Sequence, residues 1–369
     1  MKVAVVGLGN AGYNLHLPAL AGLSDHTVVG ACDADDDRRK RAAAHWPVPT
    51  YGHLDELFER ARPDVLIIGT PPETHAVLCV RALERGIHVV CEKPFTATLA
   101  EADRVIAAAS TAGRRVALNY EFREMPIARA VLDGVGGPGV GPLRFAQIWQ
   151  AMDLPPWKEP GWRGQLLRGV LYESGIHLLD YALALFGETP EAVWATMSTC
   201  EAGPLESDTV ALVTLTFSGG RLAQVTQNRL CRGDTQYFEV RADCAEASLR
   251  ASFGGRARLS AGLYRSTRPH VRLEFGPAGV AWREVGDRRT ALASNPREPG
   301  MLATRRLLAK TLAGFANGGP LPASAEDGRA GLAVAAACYE SAAAGRRITL
   351  DAATLGRLAH VRVGGVPGG

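Results

Sequence analysis

The apolar run Val3–Val6 ends directly on Gly7-Leu8-Gly9-Asn10-Ala11-Gly12 and is followed by a segment that reads as helix. Few folds accept that order. The first glycine permits a tight turn, the second lets a diphosphate reach the backbone, and the third lets helix and strand pack closely. Free N–H groups at the helix start then attract phosphate, so Gly7 to Gly12 form a candidate pyrophosphate site. Asp33 closes the next apolar run about 20 residues beyond Gly12, where a carboxylate accepts hydrogen bonds from the adenosine ribose hydroxyls. This favours NAD. Arg38 and Arg39 stand where a 2′-phosphate would lie, so NADP stays open.

The first 120 residues alternate short apolar runs (Val3–Val6, Val28–Cys32, Val65–Ile68, His88–Cys91, Val116–Leu118, and a weaker one at Val48–Tyr51) with helical spacing. Such a pattern predicts a parallel, doubly wound sheet covered on both faces. After Arg123 and the loop Gly136–Pro142, longer β-like segments follow: Leu143–Gln150, Ala192–Ser198, Thr209–Phe217, Leu222–Gln227 and Tyr237–Val240, with weaker ones between Ala247 and Trp282. Val210, Leu212, Thr214 and Thr216 alternate with apolar neighbours, as in an antiparallel sheet covered on one face. Helices are expected near Gly300–Ala316 and Asp327–Ala344. The fold class is therefore α/β: an N-terminal parallel domain over 1–121, then an α+β domain over 122–369 with an open, mostly antiparallel sheet.

A net charge of +3 and the lack of a basic run with interleaved aromatics argue against a nucleic-acid partner. The apolar stretches are too short for a membrane span, and the early glycines break any signal peptide, so a cytoplasmic protein is expected. Seven scattered cysteines without a C-x-x-C pair predict neither a disulfide framework nor a zinc site.

Against 36 arginines the chain has five lysines, so Lys93 in Glu92-Lys93-Pro94 stands out at the end of a predicted strand. The proline biases it toward extended backbone. It reads either as a positioned ammonium or as a loop lysine. Thr70-Pro71-Pro72 ends another strand at the same sheet edge, and His75 follows as a cofactor contact or a helix-start histidine. Glu173, His177 and Asp180 are spaced to share one helical face, and a carboxylate beside the imidazole would raise its basicity for general-base work. A metal face and a satisfied core histidine are the alternatives. Trp157 and Trp162-Arg163 in a Pro-rich loop suit a polyol or a nicotinamide phosphate, or only fold the loop.

Taken in order, Gly7-x-Gly9-x-x-Gly12, Asp33, Thr70-Pro71-Pro72-x-x-His75, Glu92-Lys93-Pro94, Asn119-Tyr120-x-Phe122-Arg123, Trp162-Arg163 and Gly175-x-His177-x-x-Asp180 resemble the Gfo/Idh/MocA oxidoreductase family. The resemblance implies a Rossmann domain, a nicotinamide cofactor in the interdomain cleft, and a sugar, cyclitol or derivative as substrate. It implies Lys93 as the oxygen-holding group, His177 as acid/base, and Glu173 as the carboxylate that tunes His177 or binds substrate. Thr70, Pro71, Pro72, His75, Glu92, Asn119, Trp162 and Arg163 would join the cofactor site. Tyr120, Arg123 and Trp162 would meet substrate with Lys93, Glu173 and His177. A homodimer or homotetramer through the C-terminal sheet is also implied. Two further readings are an NAD-cycling elimination enzyme and a sugar-sensing regulator. Glu173 stands where many members carry aspartate.

Overall fold

The computed structural model describes residues 1–155, 158–159, 161–199, 207–233, 235–253, 258–262, 270–274, 279–296 and 298–364. Trp157 lies outside them. Six strands, β1 (Lys2–Val6), β2 (Thr27–Cys32), β3 (Thr50–Tyr51), β4 (Val65–Ile68), β5 (His88–Cys91) and β6 (Val116–Leu118), form a parallel sheet. Its order is β3-β2-β1-β4-β5-β6, so the winding reverses between β1 and β4 and leaves a crevice at their C-terminal ends. Helices α1 (Leu17–Ala21), α2 (Asp36–His45), α3 (Leu54–Ala61), α4 (Pro72–Leu83) and α5 (Leu99–Ala112) cross between the strands. The third strand is only two residues long, and a wide π-type turn over Gly12–His16 precedes α1.

Helix α6 (Pro126–Gly134) leads into β7 (Leu143–Ala151), and α7 (Ile176–Phe186) follows. Next come β8 (Ala192–Thr199), β9 (Asp208–Thr216), β10 (Leu222–Asn228), β11 (Gln236–Cys244) and β12 (Ser248–Ser252). The hairpin β13 (Arg258–Gly262) and β14 (His270–Glu274) stands apart. Strands β15 (Val280–Val285) and β16 (Arg288–Ser294) precede α8 (Pro299–Asn317) and α9 (Ala325–Ala344); β17 (Ile348–Thr349) and α10 (Ala352–Leu358) end the described chain. The large sheet runs β16-β15-β12-β11-β7-β10-β9-β8-β17, antiparallel throughout except for the β7–β10 pair. Strand β16 carried no apolar alternation to detect; it is an exposed edge strand opening on Arg288-Arg289, a charge pattern that discourages edge pairing.

One face of this sheet is closed by α7 and α9; Ala211, Val213 and Leu215 point into it and are buried. The other face is open and carries Trp194 and Leu212, each about half exposed. Capping stops α9 from fraying: Ser324 and Asp327 form a reciprocal capping box, and Gly345 closes the helix in left-handed geometry. Gly328 lies so close to β6 that a Cβ would meet Leu118 Cγ at 3.0 Å.

A second π-type turn, Val170–Gly175, precedes α7. Its free N–H groups are satisfied from elsewhere in the chain. Gly169 and Val170 donate to Asp208 Oδ1 at 2.7 and 2.9 Å. Leu171 and Tyr172 donate to the Tyr339 hydroxyl, which itself donates to Asp208 Oδ2 at 2.8 Å. Strand β9 and helix α9 thereby set the turn that carries Glu173. Replacing Tyr339 by Phe leaves two buried donors and one carboxylate oxygen short of a partner. A urea titration is expected to show a loss of about 1–3 kcal/mol with the fold retained; an unchanged midpoint would show that the hydroxyl does not hold this turn.

Candidate active site

The crevice at the β1/β4 reversal opens into a cleft of about 650 Å³ lined by Gly7, Gly9, Asn10, Ala11, Asp33, Arg38, Thr70, Pro71, Glu92, Lys93, Trp162 and Arg163, among others. The glycines differ in what they do. Gly7 has φ +89°, and a Cβ there would stand 2.7 Å from the Gly69 carbonyl carbon. A Cβ on Gly12 would stand 1.9 Å from the Gly7 carbonyl oxygen, so only glycine lets this turn close on the strand. Gly9 instead faces open space, with a side-chain atom of Arg38 3.9 Å away, which leaves its backbone accessible to a ligand. Asp33 accepts from the Leu8 and Asp35 N–H groups at 2.7 and 2.9 Å, and the exposed Arg38 guanidinium lies 3.6 Å from its carboxylate. A dinucleotide fits this donor set.

Leu8, Pro72, His75 and Gly12 do not line the cleft; the Leu8 side chain is core and Pro72 starts α4 from a buried position. His75, expected at the cofactor, is fully buried. Its ring nitrogens face the carbonyls of Pro94 (2.9 Å), Phe95 (3.1 Å) and Thr70 (2.8 Å). It ties the loop after β4 to the loop after β5 and so positions Lys93 without facing the cleft.

Glu92 is buried, and both of its carboxylate oxygens accept hydrogen bonds. His16 Nε2 and Asn119 Nδ2 reach Oε1 at 2.8 and 2.7 Å, and the Lys93 N–H reaches Oε2 at 3.1 Å. Burial alone would raise its pKa, but the His16 hydrogen bond and charge, with Lys93 and Asn119, outweigh it and hold the carboxyl down at about 2. Asn119 serves this carboxylate and does not line the cleft. His16 escaped the sequence reading because its partner is 76 residues away.

Lys93, at the cleft wall with its cis bond to Pro94, donates from Nζ to the Glu173 carbonyl at 2.8 Å and to Glu173 Oε1 at 3.0 Å. Arg163 Nε donates to the same Oε1 at 2.9 Å, and its guanidinium stacks on Trp162 at 4.7 Å. Burial opposes ionisation of Glu173, yet the two cations hold it well below the usual carboxylate range.

The expected common face of Glu173, His177 and Asp180 is not formed. Glu173 sits on a π-type turn whose residues do not follow the 3.6 period of α7, and it turns toward Lys93. Asp180 is taken by Arg123, which forks onto it at 2.9 and 2.6 Å and also reaches Asp327 and the Pro322 carbonyl. Arg123, expected at the substrate, is thus a buried structural cation, and Tyr120 is buried beside it. His177 has no hydrogen-bonded carboxylate. Its ring stacks on Phe122 (centroids 4.4 Å apart, 11°) with Tyr120 edge-on. Burial and then Lys93 push its pKa down to about 3, with Glu173 and Glu92 opposing, so the imidazole is neutral. The expected gain in basicity is reversed because desolvation of the cation dominates. Among the described residues no cluster suited to a metal ion is present.

This fold and cleft define a nicotinamide-dependent oxidoreductase built on an N-terminal Rossmann unit. The chain belongs to the Gfo/Idh/MocA family: a model of the family's NAD-binding Rossmann fold matches residues 1–120, and one of its C-terminal domain matches residues 138–250. It is 28% identical over 359 residues to D-apiose dehydrogenase of Paraburkholderia graminis, spanning 95% of this chain and 89% of that one. It is 26% identical over 284 residues to myo-inositol 2-dehydrogenase of Thermotoga maritima, spanning 76% and 80%. The structure of an oxidoreductase from Agrobacterium radiobacter, solved with NAD+, L-tartaric acid and magnesium, shares the fold with a TM-score of 0.80 at 19% identity, covering 95% of this chain and 98% of that one.

The Glu92 pKa makes stability depend on pH. A depressed carboxylate stabilises the fold above its unfolded value of about 4.3 and loses that contribution as pH falls toward about 2, on the order of 3 kcal/mol in all. E92Q is expected to be less stable at neutral pH, with a flatter fall in urea midpoint between about pH 5 and about pH 3. Parallel slopes for the two proteins would refute this.

Proposed function

We propose that the chain moves hydride between NAD and a secondary alcohol or ketone of a sugar or cyclitol, with Lys93 and His177 handling the oxygen and its proton. The observation that carries this reading is Lys93 itself. It lines the dinucleotide cleft and its Nζ is fixed on Glu173, which supports a positioned ammonium acting on the reacting oxygen. NAD bound in the cleft supplies the hydride acceptor; the remaining steps fall to side chains. In oxidation His177, neutral at working pH, takes the hydroxyl proton, and Lys93 stabilises the oxygen as negative charge develops on it. Glu173, anionic between Lys93 and Arg163, holds the ammonium in place.

The cations near this point each have a carboxylate partner: Lys93 and Arg163 share Glu173, and the buried Arg229 pairs with Glu159. A neutral polyol as substrate accords with the names of the apiose and inositol dehydrogenases. We read residues 1–121 as the cofactor domain and 122–369 as the substrate domain. The open sheet face with Trp194 and Leu212 is read as the surface that pairs copies of the chain into a dimer or tetramer. Buried thiols at Cys32, Cys79, Cys91 and Cys338 accord with a reducing, cytoplasmic setting.

Aldoses and cyclitols, D-apiose and myo-inositol among them, are screened by NADH absorbance. Lys93→Ala is expected to lower turnover by about 10²-fold or more while NADH affinity, read by fluorescence, holds within a few-fold. Near-wild-type turnover would sink the assignment, and so would failure of the wild-type chain to bind either NADH or NADPH.

A further inference from the structure

His177 has a second neighbour that the motif pattern left blank. Glu121, between Tyr120 and Phe122, places its Oε1 3.8 Å from His177 Nε2, and both side chains are almost wholly buried, at 12% and 7% exposure. That distance is long for a hydrogen bond and short enough to close when a ligand orders the site. Glu121 Oε2 makes no hydrogen bond. It is the one buried carboxylate oxygen left in that condition among the described residues, and His177 Nδ1 is likewise without a partner.

The other carboxylates of this region are committed. Both oxygens of Asp180 are taken by Arg123. Glu92 receives His16, Asn119 and the Lys93 N–H. Glu173 receives Lys93 and Arg163. Phe122, stacked on the imidazole and packed against Tyr237 and Phe238, lies on the chain next to Glu121 and shields the pair from water.

We infer that Glu121 is the positioning and proton-holding partner of His177, so that the Glu121–His177 pair, and not the imidazole alone, carries the substrate's hydroxyl proton. This rests on the oxidoreductase reading above. In oxidation the substrate O–H bond breaks and its proton goes to one imidazole nitrogen. The proton on the other nitrogen passes to the Glu121 carboxylate, and the hydride leaves carbon for NAD. Reduction runs the same transfers backward, with the Glu121 carboxyl as the proton source. Burial raises the Glu121 pKa to about 8, with Glu92 and Asp180 adding to the rise and Lys93 opposing it; Tyr237 faces it from β11. With the His177 pKa down at about 3, a single proton shared by the pair resides on Glu121 at neutral pH. Ionised Glu121 is the form that accepts a proton, so oxidation gains as pH rises through about 8 and reduction gains below it.

The test needs no turnover, so it can fail without touching the oxidoreductase reading, and the reverse also holds. Infrared difference spectra of the full chain are recorded between about pH 6 and about pH 10, alongside nitrogen NMR of histidine-labelled protein. The wild type is expected to lose a protonated-carboxyl stretch near pH 8 while one imidazole signal, assigned by its absence in H177N, moves at the same midpoint. E121Q is expected to lack both changes, and E121D to restore a coupled step. A carboxyl band that survives in E121Q, or an imidazole step that E121Q leaves in place, would overturn the proposal. Should E121Q fail to bind NADH, the H177N variant decides. A band midpoint displaced by more than about half a unit supports the pairing, and an unmoved one refutes it.

Discussion

A single buried guanidinium joins the two halves of the site. Arg123 leaves the end of the parallel sheet just after β6 and forks onto Asp180 of α7, then reaches Asp327 and the Pro322 carbonyl at the start of α9. Lys93 is mounted on the parallel sheet and His177 on α7, so this ion pair, together with the Lys93–Glu173 contact, spans the elements that carry them. Charge-assisted, two-pronged contacts are strong as well as directional. Removing one partner from such a buried pair costs about 3–5 kcal/mol, because the other charge stays in a medium that cannot solvate it.

Around that junction the carboxylates divide their work by what surrounds them. Glu92 is fed three donors and stays ionised, which fixes the strand end that carries Lys93. Glu173 faces two cations and stays ionised as well. Glu121 has an Oε2 without a donor and only Lys93 as an opposing cation, and burial keeps its proton on. Three glutamates within one region thus differ in charge for one reason: the number of donors and cations that replace water at each. The neutrality of His177 follows from the same balance, since a buried imidazolium beside Lys93 would be both desolvated and repelled.

The glycine turn, the Asp33 strand end and the alternation of β and α were legible because each is local. A strand–turn–helix closes within a few residues, and the order of apolar runs is enough to predict a parallel sheet. The candidate site was legible only in part. Glu92-Lys93 was conspicuous through its place at a strand end and the scarcity of lysine. His75 and Arg123 sit in equally conspicuous motifs, yet their partners, Pro94 and Phe95 for one and Asp180 and Asp327 for the other, lie 19 to 204 residues away. Periodicity misled at Glu173, because one π-type turn before α7 shifts the angle at which its side chain leaves the axis.

By itself, then, the sequence determined the doubly wound architecture, the dinucleotide cleft and the residue types available to it. Those follow from steric rules at glycine and from short-range hydrophobic patterning. Only the tertiary structure decided which carboxylate meets which cation, that His75 and Arg123 brace the site from outside the cleft, and that Glu121 is the acid left facing His177. Ionisation of a buried group depends on every donor and charge within a few ångströms, and those neighbours arrive from β5, α7, β11 and α9, segments that chain order alone does not bring together.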